Sequence, residues 1–328
     1  MGPSPLPMYI TDISDAAEGN LITTRERGYI ETGKCKGKHA GIGVLKATPN
    51  FQNDYIWKTD IPEFPKAVEF HITSLSHVTG RSGLDGVLHD GGFKKTSGSG
   101  NRTFLWWSLE ITKEDRDAAE QRFLESLFPD RTPEQAERQE PFLHKFTTSL
   151  AFLQSSRYGN FRFTFPLQDL LQEYKTQICN GEEPVLRVYE TVCFKQEIVY
   201  AVVVHSPGVH DFDDYPPLEK NEHAICGYQD GKIIWRPEAM SETHWYYLDQ
   251  SDRNTVKAVN MTTHQFYVWD HVALAFHVKP GQILSFDRER LGCSLSACEA
   301  GKIKINKPWE FVRYDEAAQK VAAIKALK

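Results

Sequence analysis

A chain of 328 residues that is 40% hydrophobic, 12% aromatic and 25% charged can bury a sizeable core, as one large domain or two coupled ones, and does not have the composition of a disordered chain. The net charge of −6, from 38 basic and 44 acidic residues, provides no general positive field and disfavours nucleic acid as a bulk partner. No stretch approaches the roughly 18 apolar residues that a spanning helix requires, so no membrane partner is expected.

The opening residues Met1 to Asp12 carry three prolines and no apolar run of the secretory type. Six cysteines (Cys35, Cys179, Cys193, Cys226, Cys293, Cys298) form no Cys-x-x-Cys pair, which points to free thiols and a cytoplasmic setting. In that setting the sequons at Asn101 and Asn260 read as chance matches.

In chain order, Ala67 to Thr73 reads as a strand. Gly83 to His89 spaces Leu84, Val87 and Leu88 as a helix that Gly91-Gly92 ends. A Ser/Gly-rich loop at 96–100 precedes an aromatic strand, Thr103 to Ile111. Thr112 with Asp115 forms a capping-box pattern for a helix ending at Pro129, and Thr132-Pro133 starts another. Tyr158 to Phe165 alternates as a half-buried strand, and Leu167 to Ile178 has one apolar helical face. Val185 to Val192 and Ile198 to Val204 are further strands, the second apolar enough to be central.

Beyond Pro207 an acidic, proline-bearing loop leads into short strands at Ile225 to Tyr228, Lys232 to Trp235, Trp245 to Leu248 and Phe266 to Phe276. Asp230-Gly231 marks a hairpin between the first two. Asp315 to Lys328 reads as a short helix. The expected organisation is an α+β protein: a segment over 1–66 packed on the core, an α+β region over 67–206, a β-rich region over 207–314 and a tail over 315–328. Whether the β-rich part is a second domain or an extension of the same sheet is left open by the pattern.

Val68-Glu-Phe-His-Ile-Thr-Ser, followed by Gly83-Leu-Asp-Gly-Val-Leu-His-Asp-Gly-Gly-Phe, gives a strand ending in His-x-Thr and then a short helix ending in Gly-Phe. Thr103-Phe-Leu-Trp-Trp-Ser and Gln196-Glu-Ile-Val-Tyr-Ala add two more strands. Over about 67–206 this series resembles the ADP-ribosyltransferase fold of the poly(ADP-ribose) polymerases and RNA 2′-phosphotransferases. The resemblance implies a split mixed sheet with flanking helices and NAD as substrate. It further implies His71 as the ribose anchor with Thr73 or Ser74 beside it, Trp106, Trp107 and Ser108 at the nicotinamide wall, and Glu197 as catalytic carboxylate. The whole chain is also similar to uncharacterised fish proteins, which adds no chemistry.

The implied reaction has a clear physical logic: a carboxylate stabilises the oxocarbenium-like ribose formed as nicotinamide leaves, and a flat aromatic ring holds the departing base. Ile72 stands where the family has a small residue, and tryptophan where it most often has tyrosine. The acceptor, whether protein or nucleic acid, is not specified by any motif.

Other signals are weaker. His205 and His210 precede Asp211, Asp213 and Asp214 without a known ligand spacing, so a solvated acidic loop and no metal are expected. His244, His264, His271 and His277 read as core or surface histidines, and Cys293 with Cys298 has no zinc or redox spacing. The phosphate-loop, esterase-elbow and His-Glu-x-x-His motifs are absent. The alternative to an enzyme is a binding or interaction protein whose aromatic β-rich part, with Trp235, Trp245, Tyr246, Tyr247 and Trp269, lines a ligand cleft or partner surface.

Overall fold

The computed structural model describes residues 21–26, 29–48, 55–57, 61–95, 104–153, 155–156, 158–194, 196–219, 223–238, 241, 245–252, 254–261, 268–301 and 311–326. The run 96–100, the sequon Asn101, His244, His264 and Phe266 lie outside these residues. The protein is α+β, built on a nine-stranded mixed sheet. Its strands run, across the sheet, Leu21–Glu26, Tyr29–Lys36, Val185–Phe194, Glu197–His205, Trp269–His277, Phe104–Glu110, Ser74–Thr79, Phe161–Pro166 and Leu295–Ala297.

Glu197–His205 is central, as its near-continuous apolar run requires. It pairs antiparallel with Val185–Phe194 and parallel with Trp269–His277. The β-rich part shares the same sheet through Trp269–His277, which lies between Glu197–His205 and Phe104–Glu110, and Leu295–Ala297 at its edge, while its other strands form small separate sheets. The first 66 residues also enter the sheet: Tyr29–Lys36 pairs with Val185–Phe194. These two early strands carry no strong apolar alternation and escape the sequence pattern.

Several local signals have the expected geometry. Thr112 Oγ1 accepts from the Asp115 amide, and Asp115 accepts from the Thr112 amide, starting the helix Lys113–Leu127. Gly91, at φ 68°, closes the helix Arg81–Asp90. Asp230 and Gly231, at φ 49° and 75°, turn the hairpin Cys226–Gln229/Lys232–Trp235. The strand expected from Ala67 begins only at Phe70, because Ala67 itself has a left-handed backbone, φ 67°. Phe70–Ile72 joins that hairpin as a separate three-stranded sheet.

Because side chains alternate across a strand, the large sheet has two unlike faces. One carries Tyr200, Val202, Val272, Leu274, Trp107, Phe163 and Phe165 into the main core. The helix Leu167–Gln177 covers part of it, with Tyr174 edge-on to Phe276 at 5.2 Å. The three-stranded sheet adds Phe70, Ile72, Ile233 and Trp235 to this same core. The opposite face has a smaller apolar cluster, Tyr189, Ala201, Val203 and Phe212, and mixes polar side chains with others such as Trp269, Ala273 and Trp106.

His39 packs its ring against Tyr200, 5.6 Å between centroids, and donates from Nε2 to the Ala201 carbonyl at 2.9 Å. Burial pushes its pKa down to about 4, so the folded protein holds it neutral while the unfolded chain protonates near 6.5. The unfolded state then binds more protons between these values, and stability falls as pH drops through this window. Urea unfolding at pH 6.5 and pH 4.5 should show a loss attributable to His39 of roughly 2 kcal/mol. His39→Gln should remove that part of the pH dependence, and an unchanged pH slope would contradict the assignment.

Candidate functional site

Glu197 opens the central strand on the face opposite the main core and is only 3% exposed. Its Oε1 accepts from His271 Nε2 at 3.1 Å, and the His271 ring stacks on Trp269, 6.2 Å apart and tilted by 28°. The pairing follows from register. Glu197 opposes Trp269 and Val199 opposes His271 in parallel strands, so the two side chains are diagonal neighbours on one face. Sequence reasoning treats His271 as an ordinary core or surface histidine; only the parallel pairing of strands 72 positions apart at their starts (269 − 197) reveals its partner.

His71 is held elsewhere. It lies on Phe70–Ile72 in the three-stranded sheet, with Nε2 2.5 Å from Glu69 Oε1. Arg236 Nη2 is 2.5 Å from the other Glu69 oxygen, and Arg122 donates to the Glu69 carbonyl at 2.7 Å. Burial opposes ionisation of Glu69, but the His71 hydrogen bond and the Arg236 charge together hold it below the ordinary carboxylate range. The registers carry Ser74 opposite Glu110, and Ser108 opposite Ala273, so His71 and Glu197 reach the same end of the large sheet. They approach it about three strand spacings apart, roughly 14 Å. Phe70 and Ile72 flank His71 on the core side, whereas Glu197 faces away from that core. The described contacts give each its own partner and do not join the two.

The tryptophan pair splits between the faces. Trp107 is core, 1% exposed, among Phe93, Phe165 and Phe276. In this packing it offers no wall to a ligand; Trp106, 42% exposed, is the ring on the open face. Ser108 is half-buried on that face, but four residues and two strands separate it from Glu197, roughly 16 Å. Thr73 is exposed, at the break between two strands, where its carbonyl accepts from the Leu167 amide at 2.7 Å.

Around Ser108 the open face has a distinct make-up. Thr164, Ser76, Ser108, Ala273 and Ala201 stand opposite one another in a continuous row across five strands. One step along lie Val78 and Arg162, and Trp106 beside Ala275. Arg162 is 6% exposed and donates to Glu110 at 3.2 Å and to the Ser155 carbonyl at 3.3 Å. Its Nε–H and the Ser155 hydroxyl have no partner among the described residues. The Arg162–Glu110 pair thus reaches across the row, whose Ser76, Ala201 and Ala273 are buried, while the neighbouring Trp106 indole faces solvent.

The remaining aromatic candidates separate as well. Trp235 and Trp269 are core, while Trp245 and Tyr247 are exposed. Tyr247 borders a shallow groove of about 440 Å³ with Phe64, Pro65, Phe123 and Leu127. In the acidic loop His210 and Arg187 both bind Asp213, and Arg187 also donates to His205 Nε2 at 3.1 Å. No group of three or more His, Cys, Asp or Glu residues suited to a metal occurs among the described residues, and none of their helices is long and apolar enough to cross a membrane.

No family model, curated protein or solved structure matches the chain.

Replacing Glu197 tests the pair it forms. Glu197→Gln keeps the shape and a hydrogen bond to His271 and should change stability by less than about 1 kcal/mol, whereas Glu197→Leu removes the bond between the two strands and should cost about 2 kcal/mol. Equal effects in denaturant unfolding would show that the hydrogen bond contributes nothing.

Proposed function

We propose that this protein is a binding protein whose ligand site lies on the outer face of the large sheet around Trp106 and Ser108. The observation that supports it most is the contrast between two tryptophans on consecutive positions: Trp107 is sealed in the core, and Trp106 stands 42% exposed on the same face as the half-buried Ser108. An exposed indole beside a half-buried hydroxyl offers an apolar platform with a directional polar group, as ligand sites do.

A second reading, NAD-dependent ADP-ribosyl transfer, draws on the sequence resemblance and on one geometric feature. Glu197 is fixed by His271 at the end of the sheet that His71 and Thr73 also reach. There Glu197 would stabilise an oxocarbenium-like ribose, and His71 would orient the nucleotide. That chemistry requires Glu197, 3% exposed, to meet a ribose, and His71 to exchange Glu69 for one.

The two readings part in one experiment on the full chain. With NAD, nicotinamide release should be no greater for the wild type than for Glu197→Gln. In a ligand-observed NMR screen of mixed soluble metabolites, hits should appear for the wild type and vanish for Trp106→Ala with its fold retained. Release of nicotinamide that depends on Glu197 would replace the binding reading by the transferase one. A screen without Trp106-dependent hits would end the binding reading.

A further inference from the structure

His205 and His277 end neighbouring parallel strands, since Val204 stands opposite Phe276. Over them lies the turn His210–Phe212, whose Phe212 ring, 2% exposed, sits 5.1 Å from the His205 ring and 5.2 Å from the His277 ring. We propose that the loop 206–218 is an acid-sensitive strap: protonation of these two histidines lifts Phe212 off the sheet and bares Tyr189, Ala201 and Val203 beneath it.

One guanidinium holds both the strap and the neutral form of His205. Arg187 donates from Nε to His205 Nε2 at 3.1 Å, and His205 Nδ1 donates to the Ser206 carbonyl at 2.9 Å, so the uncharged tautomer uses both ring nitrogens. The same Arg187 donates to the Tyr215 carbonyl at 2.8 Å and pairs with Asp213 at 3.2 Å, and Asp213 also takes His210 at 2.8 Å. Further on, Val188 donates to the Pro216 carbonyl and Leu218 to the Leu186 carbonyl, which fastens the strap along Val185–Phe194. A proton on His205 Nε2 would point at the guanidinium that holds this loop, and a charge on His277 would stand beside it. Like charges packed against one apolar ring destabilise the closed strap, whereas lifting the loop lets water solvate them.

The surrounding groups set the direction. Burial, with Arg187 adding to it, pushes the His205 pKa down, and Ser206, Asp213 and Val209 oppose this. Burial also lowers that of His277, with His205 and Lys279 adding to it and Asp211 opposing. His210 holds Asp213 below the ordinary carboxylate range, so the Asp213–Arg187 pair keeps its charge while the histidines titrate. From the core face Tyr174 donates to the Val204 and His277 carbonyls and Cys179 meets Ser206; burial raises the pKa of both, so neither changes charge in acid. An open strap returns the histidines toward their ordinary value of about 6.5. Below that pH it binds more protons than the closed form, so acid favours opening, by at most about tenfold per pH unit for each proton taken up.

Amide hydrogen exchange followed by NMR on the full chain, at about pH 7.5 and about pH 5 with intrinsic rates corrected, tests this. Protection of the Val188, Asp213, Tyr215 and Leu218 amides should fall about tenfold on acidification, while residues 199–203 of the central strand stay protected. The imidazole resonances of His205 and His277 should titrate over the same interval. His205→Gln, which still reaches Arg187 but takes no proton, should remove most of the fall, and His277→Gln part of it. Loop protection that is equal at both pH values, or a fall that persists in the double variant, overturns the strap. Equal loss in the central strand also overturns it, because that marks global unfolding. If His205→Gln does not fold, the wild-type titrations decide: a fall in step with both imidazoles supports the strap, and a fall while they keep one charge state overturns it.

Discussion

The parallel pairing of Glu197–His205 with Trp269–His277 is the constraint on which the rest depends. It brings a strand from the last quarter of the chain into the middle of a sheet whose other members come mostly from the first two thirds. Parallel strands bury both flanks of their ladder and cannot close through a tight turn, so everything between residues 206 and 268 must travel outside the sheet and return. On the way it builds the hairpin that captures Phe70–Ile72 and the loop that places Phe212 on Ala201 and Val203. The two sequence regions thereby become one folding unit.

The same pairing makes the faces unequal. On the core side, apolar residues alternate in step on neighbouring strands, and helices and the small sheet cover them. On the other side the step falls on Glu197, His271, Ser108, Ser76, Thr164 and Arg162. Among the described residues an apolar cluster on that side gathers near Phe212. A polar sheet face of this kind is compatible with stability because one well-packed face is sufficient, and it frees the other for recognition.

The two charged centres of that face differ in character. Glu197 is buried against His271 and Trp269, with its carboxylate oriented and shielded. Arg162 and Glu110, with side chains 7% and 16% exposed, reach across the Ser76 row beside the exposed Trp106 ring. Shielding favours a structural role or a reaction in a closed state; an adjacent solvent-facing ring favours reversible binding. His71, with Glu69 and Arg236, is a third centre, set on the small sheet rather than on this face.

Local elements were readable before the fold: the Thr112 capping box, the Gly91 stop, the Asp230-Gly231 turn and the apolar run of the central strand all depend on neighbours within a few residues. The strands Leu21–Glu26 and Tyr29–Lys36 were not, because they are recruited by an edge already formed and need little apolar pattern of their own. The site shows the same division. The strand period alone implies that Trp106 and Trp107 point to opposite sides, but which side is core depends on what packs there. Glu197 was visible as a carboxylate at a strand start, yet its bond to His271 required a register between distant strands. Periodicity states that one face of a strand is buried; only the assembled sheet decides which strands become neighbours, and so which side chains share a face.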